Sequence, residues 1–286
     1  MKTFAVIIAA AILALGTACS QGSTYSSGLF GGKTIKGSNN YVTKDIRVDN
    51  FSKVSLTGGP HVTYTQKAGK PQVEVYTSDN IVELLDIYVQ DGTLNIGFKK
   101  NTSVSYDKLE VRISSEALNG ISVAGSGSVT LSNGLKTNNL KIAVAGSGDI
   151  KADNVACSGD LGISIAGSGD IEGTNISCTA LQTSIAGSGD MKISNITATS
   201  TNSSISGSGD VTLSGTTQEA TYKITGSGNL FASDLQAKSA SANVTGSGEI
   251  KCHATNFLKA RTTGSGSVGY KGNPQLDYPK KGLYKL

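Results

Sequence analysis

Four aspartates, each directly after a glycine-serine-glycine triplet, form a regular series of carboxylates in the sequence. They are Asp149, Asp170, Asp190 and Asp210, and they recur every 20 or 21 residues. Stacked carboxylates could bind Ca²⁺ or act as catalytic acids on a polysaccharide. Calcium-binding β-rolls repeat about every nine residues, and identical residues on successive repeats are typical of structural repetition. We therefore expect turn-supporting aspartates in a solvated ladder, with no resident metal, and keep the cation site and catalysis as alternatives.

The cysteines and histidines offer a second set of reactive groups. Cys157 and Cys178 occupy matching positions one repeat apart, and Cys252 falls at a position that should face inward. Stacked strands would bring the first two α-carbons to about 4.8 Å, close enough for a disulfide, but side chains in parallel register point the same way. Free buried thiols are therefore favoured, with a disulfide as the alternative. His61 and His253 are far apart in the sequence, and no Cys and His spacing predicts a zinc site, a catalytic site or a cofactor.

The repeat that contains these aspartates and cysteines predicts the secondary structure around them. Gly-Ser-Gly begins at residues 125, 146, 167, 187, 207, 226, 246 and 264, with spacings of 21, 21, 20, 20, 19, 20 and 18. Within each repeat, β-branched residues alternate with small polar ones, which predicts short strands. A period near 20 with three strands per repeat is typical of a β-solenoid. We predict an all-β fold, a right-handed parallel β-helix with about 20 residues per coil over residues 121–270.

The segments on either side of the repeats are interpreted as caps. Residues 56–64 line up with residues 123–131, and the 67-residue gap between them has room for about three coils. Residues 41–120 are therefore predicted to form divergent N-terminal coils and a cap, with a separate small domain as the alternative. Residues 271–286 contain Pro274, Pro279 and four lysines. They are predicted to form a C-terminal cap that blocks pairing at the edge.

The first 40 residues predict export. Lys2, an apolar run over residues 4–15 and small residues before Cys19 indicate a signal peptide over residues 1–18. Cys19 is the candidate lipidation site, which would anchor the protein to a membrane; cleavage without lipidation is the alternative. Residues 19–40, rich in Ser and Gly, are typical of a tether. We expect an outer-membrane or cell-surface lipoprotein, or else a periplasmic or secreted protein.

Composition and charge exclude several classes of function. Glycine makes up 36 of 286 residues, tryptophan is absent, and only 16% of residues are charged, which argues against a helical bundle or a doubly wound α/β enzyme. The net charge is +4, with three arginines and no long basic run. Nucleic-acid binding is therefore not expected.

The order of several segments resembles a known family. They are Phe-Ser-Lys-Val at 51–54, Asp-Gly-Thr-Leu-Asn-Ile at 91–96, Leu-Glu-Val-Arg-Ile at 109–113, and Gly-Ile-Ser-Val-Ala-Gly-Ser-Gly at 120–127, followed by serial Gly-Ser-Gly-Asp. Over residues 41–270 the chain is similar to the auto-transporter adhesin head GIN domain family, common in Bacteroidota. The resemblance implies an exported, β-helical, cell-surface protein, and it transfers no ligand and no functional residues.

Three functional hypotheses follow from these observations. The first is a non-enzymatic, adhesin-like surface protein that binds a glycan or a protein through a long face of the helix. The others are a polysaccharide-active lyase or hydrolase, and a structural envelope lipoprotein. An unrepeated cleft with paired carboxylates and aromatic platforms would favour the enzyme, and smooth, uniform coils would favour binding or structure. An exposed aromatic patch would mark an interaction surface. The candidate aromatic residues are Tyr64, Tyr76, Tyr88, Tyr106 and Tyr222.

Overall fold

The computed structural model describes residues 34–278 and 282–286. The predicted signal peptide, Cys19 and most of the predicted tether lie outside these residues. Of the described residues, 72% are strand and 2% are helix, and they form a β-solenoid of about eight turns with roughly 20 residues per coil. This confirms the predicted fold class. In the described part, no helix is long and apolar enough to cross a membrane.

The first half of the chain contains short strands and one short helix. They are β1 (Ile35–Lys36), β2 (Tyr41–Ile46), β3 (Lys53–Gly58), β4 (His61–Gln66), β5 (Gln72–Ser78), α1 (Asp79–Val82), β6 (Leu85–Gln90), β7 (Thr93–Phe98), β8 (Val104–Ser105), β9 (Leu109–Ser115), β10 (Gly120–Gly125), β11 (Ser128–Leu131), β12 (Leu135–Thr137), β13 (Leu140–Gly146), β14 (Asp149–Ala152), β15 (Val155–Cys157) and β16 (Asp160–Gly167).

In the second half, most strands run almost unbroken around a whole coil. They are β17 (Ile171–Gly187), β18 (Met191–Gly207), β19 (Asp210–Gly226), β20 (Asn229–Gly246), β21 (Glu249–Gly264), β22 (Ser267–Lys271), β23 (Gln275–Asp277) and β24 (Leu283–Lys285).

Each coil has three outer faces separated by bends. The first face consists of the outward side chains before each Gly-Ser-Gly corner, as in β10, β13 and β16. The second face follows that corner, as in β11 and β14, and the third follows a further bend, as in β12 and β15. Within each face, successive coils pair in parallel register. Side chains alternate between the interior and solvent because successive residues of a strand point to opposite sides.

Both glycines of the Gly-Ser-Gly corner are required by the backbone. The first has φ between +104° and +138° in all eight copies, a region that side chains strongly disfavour. At the second, a Cβ on Gly189 would lie 2.1 Å from the carbonyl oxygen of Gly169 in the preceding coil. The amides of Ser188 and Gly189 both donate to the carbonyl oxygen of Gly167, at 2.9 and 3.2 Å. The triplet is therefore the unit by which successive coils stack at this corner.

Asparagines form the bend between the second and third faces in three coils. Asn154, Asn175 and Asn195 have φ of 58°, 60° and 54°, a left-handed conformation that asparagine tolerates better than most residues. Nδ2 of Asn175 donates to Oδ1 of Asn154 at 2.8 Å, and Nδ2 of Asn195 donates to Oδ1 of Asn175 at 3.0 Å. This second ladder holds the coils in register.

Columns of aliphatic side chains fill the interior of the solenoid. One column contains Leu56, Val123, Val144, Ile165 and Ile185, all of which are buried. A few buried residues are polar: the hydroxyl of Thr183 donates to that of Ser203 at 2.7 Å. The phenol oxygen of the fully buried Tyr222 has no hydrogen-bond partner. The ring of Tyr222 lies between two smaller register partners, Ser203 and Ala242.

The N-terminal segment joins the same sheet in an unexpected order. Strand β3 pairs directly with β10, so that Leu56 is the register partner of Val123 and His61 that of Ser128. The residue-for-residue alignment is therefore confirmed, but the prediction of about three coils between them is wrong. The intervening chain runs to the other side: β7 pairs with β3, and β9 pairs with β4, on the edges away from the repeats.

Antiparallel strands close the N-terminal end. Strand β5 pairs antiparallel with β9 and β2, and β6 pairs antiparallel with β7. Strand β1, in the last part of the segment predicted to be a tether, pairs with β8. Nδ2 of Asn80 donates to the carbonyl oxygen of Lys36 at 2.8 Å. Strand pairing therefore includes residues before 41, the start of the domain in the sequence-based division.

The C-terminal segment continues the parallel pairing. Strand β23 pairs with β21, and β24 pairs with β22. Arg261 on the last full coil donates to both carboxylate oxygens of Asp277, at 2.8 and 2.9 Å. This ion pair attaches the segment to the coil below it.

Candidate functional site

The aspartate column lies on the second face, and its carboxylates are used by the fold. Oδ1 of Asp149 accepts a hydrogen bond from the backbone N–H of Asp170 at 3.1 Å. Asp170 and Asp190 accept in the same way from the next aspartate, each at 3.0 Å. The series continues to Asn229, whose amide donates to Asp210 at 2.9 Å. Each carboxylate therefore satisfies an amide at the corner of the following coil, a local role that aspartate commonly fills.

Positively and negatively charged side chains both lie near the aspartate column. Lys151, Lys192 and Lys251 project from the same face two residues along. Lys251 Nζ lies 3.1 Å from a carboxylate oxygen of Glu249, and Lys151 Nζ lies 3.7 Å from Asp153. In the part of the chain that the structure describes, no group of three or more His, Cys, Asp or Glu is arranged to hold a metal ion. The geometry supports structural use of the aspartates.

The two histidines are not brought together. His61 is on the second face, where its Nδ1 lies 2.6 Å from the hydroxyl oxygen of Ser128 in the next coil. His253 lies near the other end of the solenoid, paired in register with Lys271. The structure therefore does not assemble these residues into one site.

The three cysteines of the described chain are buried and free. Cys157 and Cys178 lie in adjacent coils and face the interior. Burial raises the pKa of Cys157 to about 11, and burial with the neighbouring Cys157 and Asp160 raises that of Cys178 to about 12. Burial also raises the pKa of Cys252 to about 12. At neutral pH these thiols are protonated and poor nucleophiles.

Of the five candidate tyrosines, Tyr88 alone is exposed, at 44%. Tyr64 and Tyr222 are buried in the core, while Tyr76 and Tyr106 are half-buried and stack on Tyr41 and Phe98, with ring centroids 5.8 Å apart in each pair. Tyr88 pairs with Asn95 and therefore lies at the N-terminal end of the first face. These tyrosines do not form the aromatic patch that the sequence suggested as a possibility.

The first face is rich in small residues over its first seven strands. Its central column continues from Asn95 through Ser55, Ser122, Ala143, Ser164, Ser184 and Ser204. The column beside it contains Thr57, Ala124, Ala145, Ala166 and Ala186. Because none of these side chains is large, ligand-sized molecules can approach the sheet closely.

A groove of about 560 Å³ lies at the N-terminal end of this face. Its floor crosses four neighbouring strands, β7, β3, β10 and β13. The polar side chains that line it are Lys53, Ser55, Gln90, Asp91, Thr93, Asn95, Asn119, Ser122 and Lys141. This size falls within the range of small-ligand sites, and hydroxyl and amide groups can both donate and accept hydrogen bonds.

Sequence reasoning missed this groove because its residues come from separate parts of the chain. Lys53 and Gly120 are 67 positions apart, and the register of β3 on β10 brings them together. The alignment of residues 56–64 with 123–131 was the available signal. Continued three residues toward the N-terminus, this alignment pairs Lys53 with Gly120. The prediction of additional coils between the two segments kept these residues apart.

Comparison with known proteins agrees with this architecture. A family model described as "Putative auto-transporter adhesin, head GIN domain" matches residues 50–210 and 161–274. The chain belongs to this family. That membership confirms the resemblance seen in the sequence and supports a coarse assignment as an adhesin-like protein, with an exported, cell-surface location suggested by the family's name. No curated protein matches the chain.

Three solved structures of similar proteins align with most of the chain. A protein from Parabacteroides distasonis described as a "putative lipid binding protein" is 27% identical with a TM-score of 0.68, covering 89% of this chain and all of that one. A "putative adhesin" from Parabacteroides merdae is 25% identical with a TM-score of 0.65, covering 89% and 97%. Another "putative adhesin" from P. distasonis is 25% identical with a TM-score of 0.64, covering 89% and 98%.

Proposed function

We propose that this family member is a non-enzymatic, adhesin-like protein that binds a glycan in the groove of the first face. The groove carries the proposal: it is open, flat-floored and lined by hydroxyl, amide and charged groups on four adjacent strands. Sugars present many hydroxyls, so a surface with many small donors and acceptors suits them. The adhesin descriptions of the family and of two structural relatives support a binding role.

A catalytic role on polysaccharides has less support. Glycoside hydrolysis generally uses two carboxyl groups on either side of the scissile bond. The groove has one carboxylate, Asp91, among its lining residues. The aspartates of the second face are stacked along the solenoid and accept backbone hydrogen bonds from the next coil. These observations favour binding without cleavage.

Lipid binding, the description of one relative, is a second candidate for the same groove. An acyl chain needs an apolar cavity, because its affinity comes from the apolar surface removed from water. The interior columns are filled by side chains such as Leu56, Ile165 and Leu181. The groove is open to solvent, and nine of the thirteen residues that line it have polar side chains. The lining therefore favours a saccharide over an acyl chain.

The proposed location is the cell surface, with anchoring through Cys19. The apolar run before Cys19 and the Ser/Gly-rich segment after it support this proposal. Growth with a radiolabelled fatty acid should label the wild-type protein and leave a Cys19→Ser variant unlabelled. Equal labelling of both, or labelling of neither, would contradict lipidation at this residue.

Protease added to intact cells should degrade the protein if it is on the outer surface.

The test of the proposed function is a glycan panel of neutral and acidic oligosaccharides, with binding and product release measured together. Ser122→Trp would fill the floor of the groove, and Ser184→Trp places the same ring in the same column three strands away. We expect wild type and Ser184→Trp to bind alike and Ser122→Trp to lose binding. No bound glycan, equal binding by all three proteins, or release of shorter oligosaccharides would overturn the proposal. The first of these outcomes would leave the structural envelope role as the favoured function.

A further inference from the structure

Two lysines and a glycine occupy one column of the groove. Lys53, Gly120 and Lys141 are register partners on the adjacent strands β3, β10 and β13. The two lysine α-carbons are therefore separated by two strand spacings, about 10 Å. Gly120 adds no side chain between them, and its φ lies outside the left-handed region that requires glycine. The stem of Lys53 leans over Gly120 instead, with its Cγ 3.2 Å from the position of an added Cβ, on the side toward Lys141.

Neither ammonium group is neutralised by the protein. Within the described residues, Lys53 and Lys141 take part in no ion pair or side-chain hydrogen bond. Several other lysines of the molecule do have acidic partners, including Lys44 with Glu83 and Lys271 with Asp234. The nearest acid in the groove, Asp91, lies at the tip of the hairpin between β6 and β7, beyond Lys53. The lysine pair therefore favours an anion from outside.

We propose that the groove recognises an anionic saccharide, whose carboxylate or sulfate group lies between the ammonium groups of Lys53 and Lys141. This inference rests on the proposed function and names its ligand class. Ser55, Ser122, Asn95 and Thr93 line the same groove and can hydrogen-bond the sugar hydroxyls. Asp91 repels an anion at its own end, which directs the charged group toward the lysine pair. The groove spans three strand spacings, about 14 Å, enough for a short oligosaccharide.

The exposure of the lysines determines how the interaction responds to salt. Charges that remain in contact with solvent are screened over about 8 to 10 Å at physiological ionic strength. Affinity for an acidic saccharide should therefore fall as NaCl is raised, and affinity for a neutral analogue should change little. The salt series separates ionic recognition from hydrogen bonding alone.

The experiment measures binding of trigalacturonate, its neutral methyl ester and a sulfated heparin-derived tetrasaccharide to the purified protein. We expect at least one of the two anionic probes to bind. If trigalacturonate binds, its methyl ester should bind more weakly. The double variant Lys53→Gln/Lys141→Gln should weaken binding of the anionic probe at least about tenfold. Lys259→Gln is the matched control, because Lys259 lies in the same column six strands beyond Lys141. The two anionic arms distinguish a carboxylate from a sulfate.

A second pair of variants tests the charge between the lysines. Gly120→Asp would place a carboxylate beside both lysines and should abolish anion binding by pairing with them, after the flexible stem of Lys53, 3.2 Å from the added Cβ, shifts by a few tenths of an ångström. Asn202→Asp, in the same column three strands past Lys141, adds the same charge about 14 Å from that lysine and should bind like wild type, because solvent screens the charge over this distance. Circular dichroism and thermal unfolding of each variant confirm that it is folded.

The outcomes separate the two proposals. If Ser122→Trp abolishes binding of a neutral glycan while the double lysine variant still binds it normally and no acidic probe binds, the groove binds glycans and the anionic inference is wrong. If an acidic probe binds equally well to the double lysine variant and to Gly120→Asp, the inference is also wrong. If no glycan binds at all, the proposed function itself fails.

Discussion

Oδ1 of Asp190 accepts a hydrogen bond from the backbone N–H of Asp210, one coil further along, at 3.0 Å. The same bond repeats along the column, and where Asn229 replaces aspartate its Oδ1 accepts from the amide of Glu249 at 3.3 Å. An amide oxygen thus substitutes for the carboxylate at this position. What the corner requires is an acceptor, and a negative charge is not essential.

Replacing Asp190 separates the acceptor from the charge. Asp190→Ala removes the acceptor and should lower the free energy of unfolding by about 1 kcal/mol, the usual net value of one hydrogen bond. Asp190→Asn keeps the acceptor and should change stability by less than about 0.5 kcal/mol. Denaturant titration followed by circular dichroism measures both variants.

Wild type and Asp190→Asn also test whether the aspartate column binds calcium. If the column serves the backbone, the melting temperature should be the same in Ca²⁺ and in EDTA, for wild type and for Asp190→Asn. A melting temperature that rises with Ca²⁺ in wild type, and does not rise in Asp190→Asn, would show that the column binds the cation, since a ligand of the folded state stabilises it.

Two glycines give a matched test of the stacking corner. Gly189→Ala would place a methyl group 2.1 Å from the carbonyl oxygen of Gly169 and should destabilise the protein by about 3 kcal/mol, because the coils must separate to accept it. Gly162→Ala meets no atom within 4 Å and should be neutral or slightly stabilising. Equal melting temperatures for the two variants would contradict the corner geometry.

Two buried tyrosines should respond in opposite directions to loss of the hydroxyl. The phenol oxygen of Tyr222 has no partner, so Tyr222→Phe removes an unsatisfied polar atom and should stabilise by about 1 kcal/mol. The hydroxyl of Tyr64 donates to the carbonyl oxygen of Ser115 at 3.1 Å, so Tyr64→Phe should destabilise by about the same amount. Equilibrium unfolding measures the free energy of unfolding of both variants. Destabilisation of Tyr222→Phe would indicate that the Tyr222 hydroxyl has a hydrogen-bond partner, such as a buried water.

The buried thiols predict a loss of stability at high pH. Their folded pKa values, about 11 for Cys157 and about 12 for Cys178 and Cys252, lie above the ordinary value of 9.0. Between pH 9 and 12 the unfolded chain releases these protons and the folded chain retains them, so stability is full below pH 9 and falls above it. Cys157→Ala/Cys178→Ala should fall less steeply in this range. Identical slopes for the variant and wild type would contradict the assignment.

The repeat itself was predictable because its signal is local. The Gly-Ser-Gly spacing predicts the coil length, and β-branched residues such as Ile165 and Ile185 identify the interior column. The inward positions of Cys157 and Cys178 follow from the same alternation. In these coils, sequence neighbours are also structural neighbours, so periodicity alone specifies the register.

The N-terminal end was less predictable because its pairing is not local. Nothing in residues 67–119 indicates that the chain leaves β4, builds antiparallel strands and returns to place β10 directly on β3. Antiparallel and parallel strands have similar residue patterns, and the direction depends on contacts across the cap. The groove depends on that pairing, so the candidate site became apparent only in the three-dimensional structure.

The most direct test of glycan binding is the crystal structure of the protein with the acidic oligosaccharide that binds best. We expect an intact saccharide on the first face, in contact with Ser55 and Ser122, with its anionic group between Lys53 and Lys141. A saccharide on the second face beside Asp149 to Asp210, or a cleaved product in either place, would contradict it.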